Sequence, residues 1–214
     1  MANGRVLTGF SLPYIALYSA STAGVVSYSS GQILARGVSV SLDVNSASDD
    51  NIFYADNVAA ETVAGTFTGG TATLTVDGLK DAAEKLLLGL PTADTNGFVH
   101  YGDSASIPYV GVGFICRYMS AGSTEYVPVV LTKCRANMPN LEANTQEAEI
   151  EWQTQELTAT LMRDDSADEA WKLIGADFSS EAEAEAALIA ALGGIAEDAV
   201  VIGAAGGADA EFRG

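Results

Sequence analysis

The stretch Pro108–Ala136, PYVGVGFICRYMSAGSTEYVPVVLTKCRA, decides the fold. Two runs rich in Val, Ile, Phe and Tyr flank a short AGST turn, which reads as an antiparallel hairpin. After the interruption NMPNLEANT comes a third extended run at 146–162, QEAEIEWQTQELTATLM. In it Ala148, Ile150 and Trp152 share one phase, while Glu147, Glu149 and Glu151 share the other. A period of two puts the carboxylates on one face of a strand and the apolar side chains on the opposite face. Farther on the apolar residues are Leu157, Ala159 and Leu161, which are out of phase with Ile150 and Trp152. One extra residue near Gln155–Glu156 would keep the same face buried, so a bulge or break is expected there.

The two cysteines, Cys116 and Cys134, fall on the two arms of the hairpin. With the turn centred near Ala121–Gly122, Cys116 lies opposite Val127, seven residues short of Cys134. At about 3.4 Å per residue this separation forbids a disulfide within the hairpin, so both thiols are expected free and intracellular synthesis fits.

Upstream, MANGRVLTGFSLPYIALYSA reads as an ordered N-terminal strand rather than a cleaved leader, because Gly9, Ser11 and Pro13 interrupt its apolar centre. Residues 19–31 read as a loop with a short pair at Val25–Tyr28, and Ile33–Val44 as a strand with one wet face. Residues 45–65, NSASDDNIFYADNVAAETVAG, have no clean period. Ile52, Phe53, Tyr54 and Val58 are too apolar for a solvated linker, so an ordered loop docked on a neighbouring surface is expected.

Thr66–Val76 alternates again, and Asp77 reads as the N-cap of a helix. That helix carries Leu79, Ala82, Ala83, Leu86, Leu87 and Leu90 on one stripe, with Gly89 as its stop. Phe98–Tyr101 reads as a short strand in the connection that follows. Beyond Met162, DDSADE reads as a solvated turn, and Trp171, Leu173 and Ile174 as a small apolar cluster. Ser180 and Glu183 have capping-box spacing before an Ala-rich helix at about 181–192, which must dock or stay mobile. A Gly/Ala-rich tail with one short strand at 199–203 completes the chain.

Composition excludes several function classes. Of the net charge of −18, residues 1–136 contribute −4 and residues 137–214 contribute −14, so the basic footprint of a nucleic-acid binder is missing. A single histidine, His100, rules out a multi-His metal site within one chain, and no Gly-rich phosphate loop or Cys-pair metal spacing occurs. The DDSADE turn lacks the Gly and spaced Glu of a calcium loop. No catalytic, cofactor or metal residues are therefore assigned. No run of 18 apolar residues occurs, which argues against a membrane-spanning helix.

The order of these pieces resembles the major tail (tail-tube) proteins of long-tailed bacteriophages, especially the phi13-like group. The resemblance is carried by GVSVSLDV, by FYADN with Glu61 downstream, by GTFTGGTATLTVDGLKDAAEKLLLG, by the 108–147 hairpin stretch and by EIEWQTQELTATLM, together covering residues 5–174. It implies a mainly β fold, an antiparallel β-sandwich or barrel with one flanking α-helix over residues 1–174; the extension over 175–214, read from its residues as helical or irregular, falls outside the resemblance. It also implies a non-enzymatic virion protein, made in the host cytoplasm, that stacks as hexameric rings into a tube. Expected partners are further copies of itself and the tape-measure, baseplate or distal-tail and tail-terminator proteins. Viral DNA would pass through without specific binding. On this reading Ile52, Phe53, Tyr54, Asp56, Val58 and Glu61 form an inter-subunit loop, and Glu147, Glu149 and Glu151 face the lumen. The rival reading is a stand-alone β-sandwich recognition or virion decoration module, which surface alternation and acidity fit equally well.

Overall fold

The computed structural model describes residues 4–46, 51–55, 58–63, 66–102, 106–120, 122–140, 145 and 153–194. The first half holds strands β1 (Val6–Ala20), β2 (Val26–Ile33), β3 (Gly37–Ser46), β4 (Asn51–Ala55), β5 (Val58–Val63) and β6 (Phe67–Val76), then helix α1 (Asp81–Leu88). The second half holds β7 (Tyr109–Ser120), β8 (Ser123–Ala136), β9 (Gln155–Met162), β10 (Lys172–Ile174) and helix α2 (Glu181–Ala191). The fold is mainly β. Seven strands pair antiparallel in the order β2-β1-β7-β8-β9-β6-β3, β10 pairs with β8, and β4 and β5 form a separate two-stranded sheet.

The hairpin of β7 and β8 is the centre of this sheet. Its register places Cys116 opposite Val127, as the turn position predicts, and both cysteines are buried free thiols. Along β7, Val110, Val112, Phe114 and Cys116 point into the main core with Ile15, Leu74, Leu131 and Leu161. The opposite phase is Gly111, Gly113 and Ile115, and it faces α2. A Cβ on Gly113 would lie 2.7 Å from methyl carbons of both Leu188 and Leu192, and one on Gly111 would lie 2.8 Å from Leu192. The two glycines are notches that let a helix approach the sheet closely.

Strand β8 carries the bend that gives the sheet its shape. Val112 pairs with Leu131 and Val110 with Cys134, so β8 holds one extra residue in that interval. Val129 and Leu131 face the main core before the bulge, and Cys134 and Ala136 face it after. The sheet forks at this point, because residues 129–131 pair with β10 and residues 133–136 pair with β9. A bulge that reorients a strand is how one strand serves two directions of pairing. The branch through β9, β6 and β3 curls over, and β3 comes into contact with β1 across the core.

In β9 the odd-numbered phase is the buried one, with Leu157 opposite Leu74 and Leu161 opposite Gly70, as the alternation predicts. The strand begins at Gln155, where the sequence predicts a bulge or break. Residues 146–152, with Ile150 and Trp152, lie outside the described residues.

Several expectations need correction. Residues 26–33 form a full strand on the edge of β1, not a loop with a short pair. An extra residue at Ser30, with φ +54°, breaks the alternation that would have revealed it. Asp77 is not a helix cap: its carboxylate accepts the Arg36 N–H at 3.0 Å and its own N–H donates to the Arg36 carbonyl. Gly78, at φ +152°, then turns the chain, and α1 begins only at Asp81. Gly89 does stop the helix, in the left-handed conformation. Phe98–Tyr101 is not a strand, and both aromatic rings are largely exposed. Leu173 and Ile174 are exposed on β10 rather than clustered with Trp171.

Helix α2 forms where its Ala-rich sequence predicts, but the Ser180 side chain makes no cap bond. The first-turn Glu181 instead accepts the Ser11 hydroxyl. Ala184, Leu188 and Leu192 pack on Tyr14, Ala16, Ile115 and Val130, forming a second core on the outer side of the sheet. The Tyr14 hydroxyl donates to the Gly194 carbonyl at 2.7 Å, and burial pushes its pKa up to about 12. Leu12, at φ +52°, occupies a bulge in β1 opposite β7 and packs against the same cluster.

The notch packing makes a quantitative prediction. Leu188→Ala should cost about 2–5 kcal/mol of unfolding free energy. Gly113→Val should cost about 1–3 kcal/mol by overfilling the notch. The double variant should lose less than the sum, because removing the leucine makes room for the new side chain. Denaturant titration of the four proteins measures this, and strict additivity would rule out direct packing of Leu188 on Gly113.

Candidate functional site

The free end of the curled branch is the pair β3–β6, and the chain between these two strands carries the separate β4–β5 hairpin, called the arm below. At the base, Asn45 pairs with Gly69 and Ser46 with Phe67, so β6 carries one extra residue, Thr68. The Thr68 hydroxyl donates to the Asn45 carbonyl at 3.2 Å, and Gly69 takes φ +148°. Such a bulge raises the local twist and re-aims whatever follows it.

The arm is a β-hairpin, where the sequence led to an ordered loop without strands. Asn51 pairs with Val63, Ile52 with Thr62, Phe53 with Glu61, Tyr54 with Ala59 and Ala55 with Val58. The extra residue at Ala60 explains why no single period runs through the sequence. Of the predicted inter-subunit residues, Ile52, Phe53 and Tyr54 fall on β4, and Val58 and Glu61 on β5. Asp56 lies outside the described residues, as do Glu147, Glu149 and Glu151. Among the described residues, the arm pairs with no strand of the main sheet. A two-stranded hairpin is marginal in water without a surface to cover one face.

The loop 163–171 ties the base of the arm to the body. The Trp171 ring stacks on Phe67 with centroids 4.8 Å apart and planes 3° from parallel. The Arg163 guanidinium donates to the Phe67 carbonyl at 2.6 Å and to the Glu169 carboxylate at 2.7 Å. Glu169 reaches it from the left-handed conformation, with φ +47°. On its other side the loop is anchored at the fork. The Thr132 hydroxyl donates to the Ala170 carbonyl, and the Thr132 N–H to the Trp171 carbonyl. The Asp165 carboxylate accepts from Lys133 at 2.6 Å and from the Tyr18 hydroxyl at 2.7 Å. Those contacts, Lys133 first and Tyr18 second, hold its pKa below the usual carboxylate range. The DDSADE turn is thus built into the body: Asp164 is buried and its carboxylate accepts from the Ser166 N–H and hydroxyl.

A second ordered surface feature is the turn after α1. One Asp94 carboxylate oxygen accepts the Asn96 and Phe98 N–H groups, and the other lies 3.0 Å from His100 Nε2. The Tyr101 hydroxyl donates to Glu84 at 2.8 Å. These contacts leave Phe98, 69% exposed, at the surface of a well-bonded turn.

Among the described residues no group of three or more His, Cys, Asp or Glu side chains could hold a metal ion, and no helix is long and apolar enough to cross a membrane. No protein-family model matches the chain, and no curated protein matches it. Residue-level reasoning missed the roles of Phe67, Arg163 and Trp171 at the arm's base. A lone Trp after an acidic turn carries no mark of its partner, because Phe67 is about a hundred positions away and only the β6–β9 pairing brings them together.

The Asp165 contact gives a pH prediction. Its folded pKa is lowered, so its contribution is present above the unfolded pKa and lost as pH falls through the folded one. Asp165→Asn should therefore lower the melting temperature near neutral pH and flatten its fall between neutral and strongly acidic pH. Thermal melts across that range measure this. Parallel curves for the two proteins would mean that the carboxylate does not hold the loop.

Proposed function

We propose that this chain is a structural virion protein of the tail-tube type, polymerising through stacked hexameric rings into a channel for DNA. The observation that carries the reading is the arm. It is an ordered hairpin bearing Ile52, Phe53 and Tyr54, leaves the free end of the sheet, and pairs with no strand of the main sheet among the described residues. Such a hairpin needs an outside surface, and in a self-assembling protein that surface belongs to the next subunit.

The curled antiparallel sheet with α1 on its core suits the sandwich or barrel expected from the family resemblance. The surplus of carboxylates suits a lumen that DNA traverses without sticking. On this reading Glu147, Glu149 and Glu151 form a negative band repeated around the ring. The protein acts as a building block rather than an enzyme. Its partners are its own copies together with tape-measure, distal-tail and terminator proteins, in the tail of the virion.

Deleting residues 48–60 tests the central point. The variant should stay folded and monomeric, whereas the intact protein at high concentration should form rings or tubes by negative-stain microscopy and sedimentation. Tubes from the deletion variant would refute the role of the arm. An intact protein that stays monomeric under all conditions would favour the decoration module.

The lumen reading has a separate test. Replacing Glu147, Glu149 and Glu151 with lysine should leave tubes able to form but should slow DNA release, with a steep salt dependence. Particles with well-formed variant tubes that deliver DNA at the normal rate would place these residues elsewhere.

A further inference from the structure

We propose that Asn96 is a site of spontaneous deamidation held in check by the turn around it, with Asp94 as the positioning residue that sets the rate. The inference stands apart from the assembly reading. Asn96-Gly97 is one of two Asn-Gly pairs in the chain, the other being Asn3-Gly4. Asn96 and Gly97 are both exposed, and a Cβ at Gly97 would meet nothing within 4 Å. Water and base therefore reach the pair, and no side chain on residue 97 screens its nitrogen.

Water is the only co-reactant the step needs. A base removes the Gly97 amide proton, and the nitrogen attacks Cγ of the Asn96 side chain. The new Cγ–N bond closes a cyclic imide as the Cγ–Nδ2 bond breaks, and Nδ2 takes up the proton and leaves as ammonia. Water then opens the imide at either carbonyl. Cleavage of the Cγ–N bond gives aspartate. Cleavage between the Asn96 main-chain carbonyl carbon and the Gly97 nitrogen gives isoaspartate, which adds one carbon to the main chain.

The turn opposes the first of these events. The Gly97 N–H donates to the Asp94 carbonyl at 3.0 Å, so the proton that must be lost is engaged. The chain on either side of that nitrogen is also tied down. One Asp94 carboxylate oxygen accepts the Asn96 N–H at 2.8 Å and the Phe98 N–H at 2.9 Å, and the Asp94 N–H donates to the Phe98 carbonyl at 2.8 Å. Gly97 sits between them at φ +87°. The second carboxylate oxygen lies 3.0 Å from His100 Nε2, which keeps the acceptor in place. Attack requires the Asn96–Gly97 peptide to rotate until its nitrogen meets Cγ, because an intramolecular reaction is fast only from a near-attack conformer. That rotation breaks the bonds to Asp94, so the turn must open locally before the chemistry can start. Once isoaspartate has formed, its extra main-chain carbon moves the Phe98 N–H out of register with Asp94. The modified turn then cannot close again, and Phe98 loses its anchor.

The test is a time course near neutral pH read by peptide mass spectrometry, with fragment spectra locating the change from amide to acid. Asn3 and Asn96 fall in different tryptic peptides, because Arg5 lies between them. The reference is a synthetic peptide of residues 91–102. Asn96 in the intact protein should convert at least about tenfold more slowly than in the peptide, the factor expected from charge-assisted bonds that must break first. Asp94→Ala should bring the rate in the protein towards that of the peptide. Asp94→Asn, which keeps an acceptor oxygen for both N–H groups, should stay close to wild type. Hydrogen exchange of the β7 amides in the same samples reports global opening and should be unchanged in both variants.

A peptide in which Asn96 does not convert overturns the site. An intact protein that converts as fast as the peptide overturns the restraint by the turn. A rate in Asp94→Ala that stays at the wild-type value, or one that rises only in step with faster exchange in β7, overturns the role of Asp94.

Discussion

The structure depends on β7 being buried on both faces. Its Val110, Val112 and Phe114 anchor the main core, and its Gly111 and Gly113 admit Leu188 and Leu192 from the other side. A central strand with large side chains on both faces would hold the helix off the sheet, and α2 would lose the contacts that make it stable. An 11-residue helix in water is too short to persist alone. The glycines therefore decide whether the segment after β10 belongs to the body. Every other element is arranged around that strand: β1 and β8 pair with it, and the bulge in β8 sends the remaining strands over its inner face.

Bulges do most of the shaping. The one in β8 divides the sheet, the one at Leu12 turns β1 against α2, the one at Ser30 lets β2 follow β1, and the one at Thr68 sets the root of the arm. Each adds a residue on one strand and so shifts which side chains face inward. The result is a sheet that wraps its own core and carries, between strands β3 and β6, the separate β4–β5 hairpin.

This also explains what could be read from the residues. The hairpin of β7 and β8 was legible down to its register, because a tight turn and two strongly β-forming arms leave no freedom in pairing. The inward phase of Leu157 and Leu161, and the stop at Gly89, were legible for the same local reasons. Strand β2 was not, because YSSGQ has no apolar alternation and is held by its neighbour rather than by its own pattern. The start of α1 was misplaced because Asp77 has the chemistry of a cap but spends its carboxylate on Arg36. The arm was recognised as ordered from Ile52, Phe53 and Tyr54, yet its strand pairing was hidden by the extra residue at Ala60. Trp171 could be given a role only once sheet order put Phe67 beneath it.

The joining of β1 to the α2 region has a consequence for how the chain matures on the ribosome. Arg5 pairs with Asp177, Ser11 with Glu181, and Tyr14 with Gly194, so a strand synthesised early waits for a segment synthesised about 170 residues later. Until then Ile115, Ala16 and Val130 form an uncovered apolar surface on a sheet that is otherwise able to pair. Long-range closure of this kind is slow, and a half-made sheet with a greasy side is prone to stick to its neighbours on the same message. The nascent chain thus carries an uncovered face from the completion of β8 until α2 is made, the interval in which premature association competes with closure.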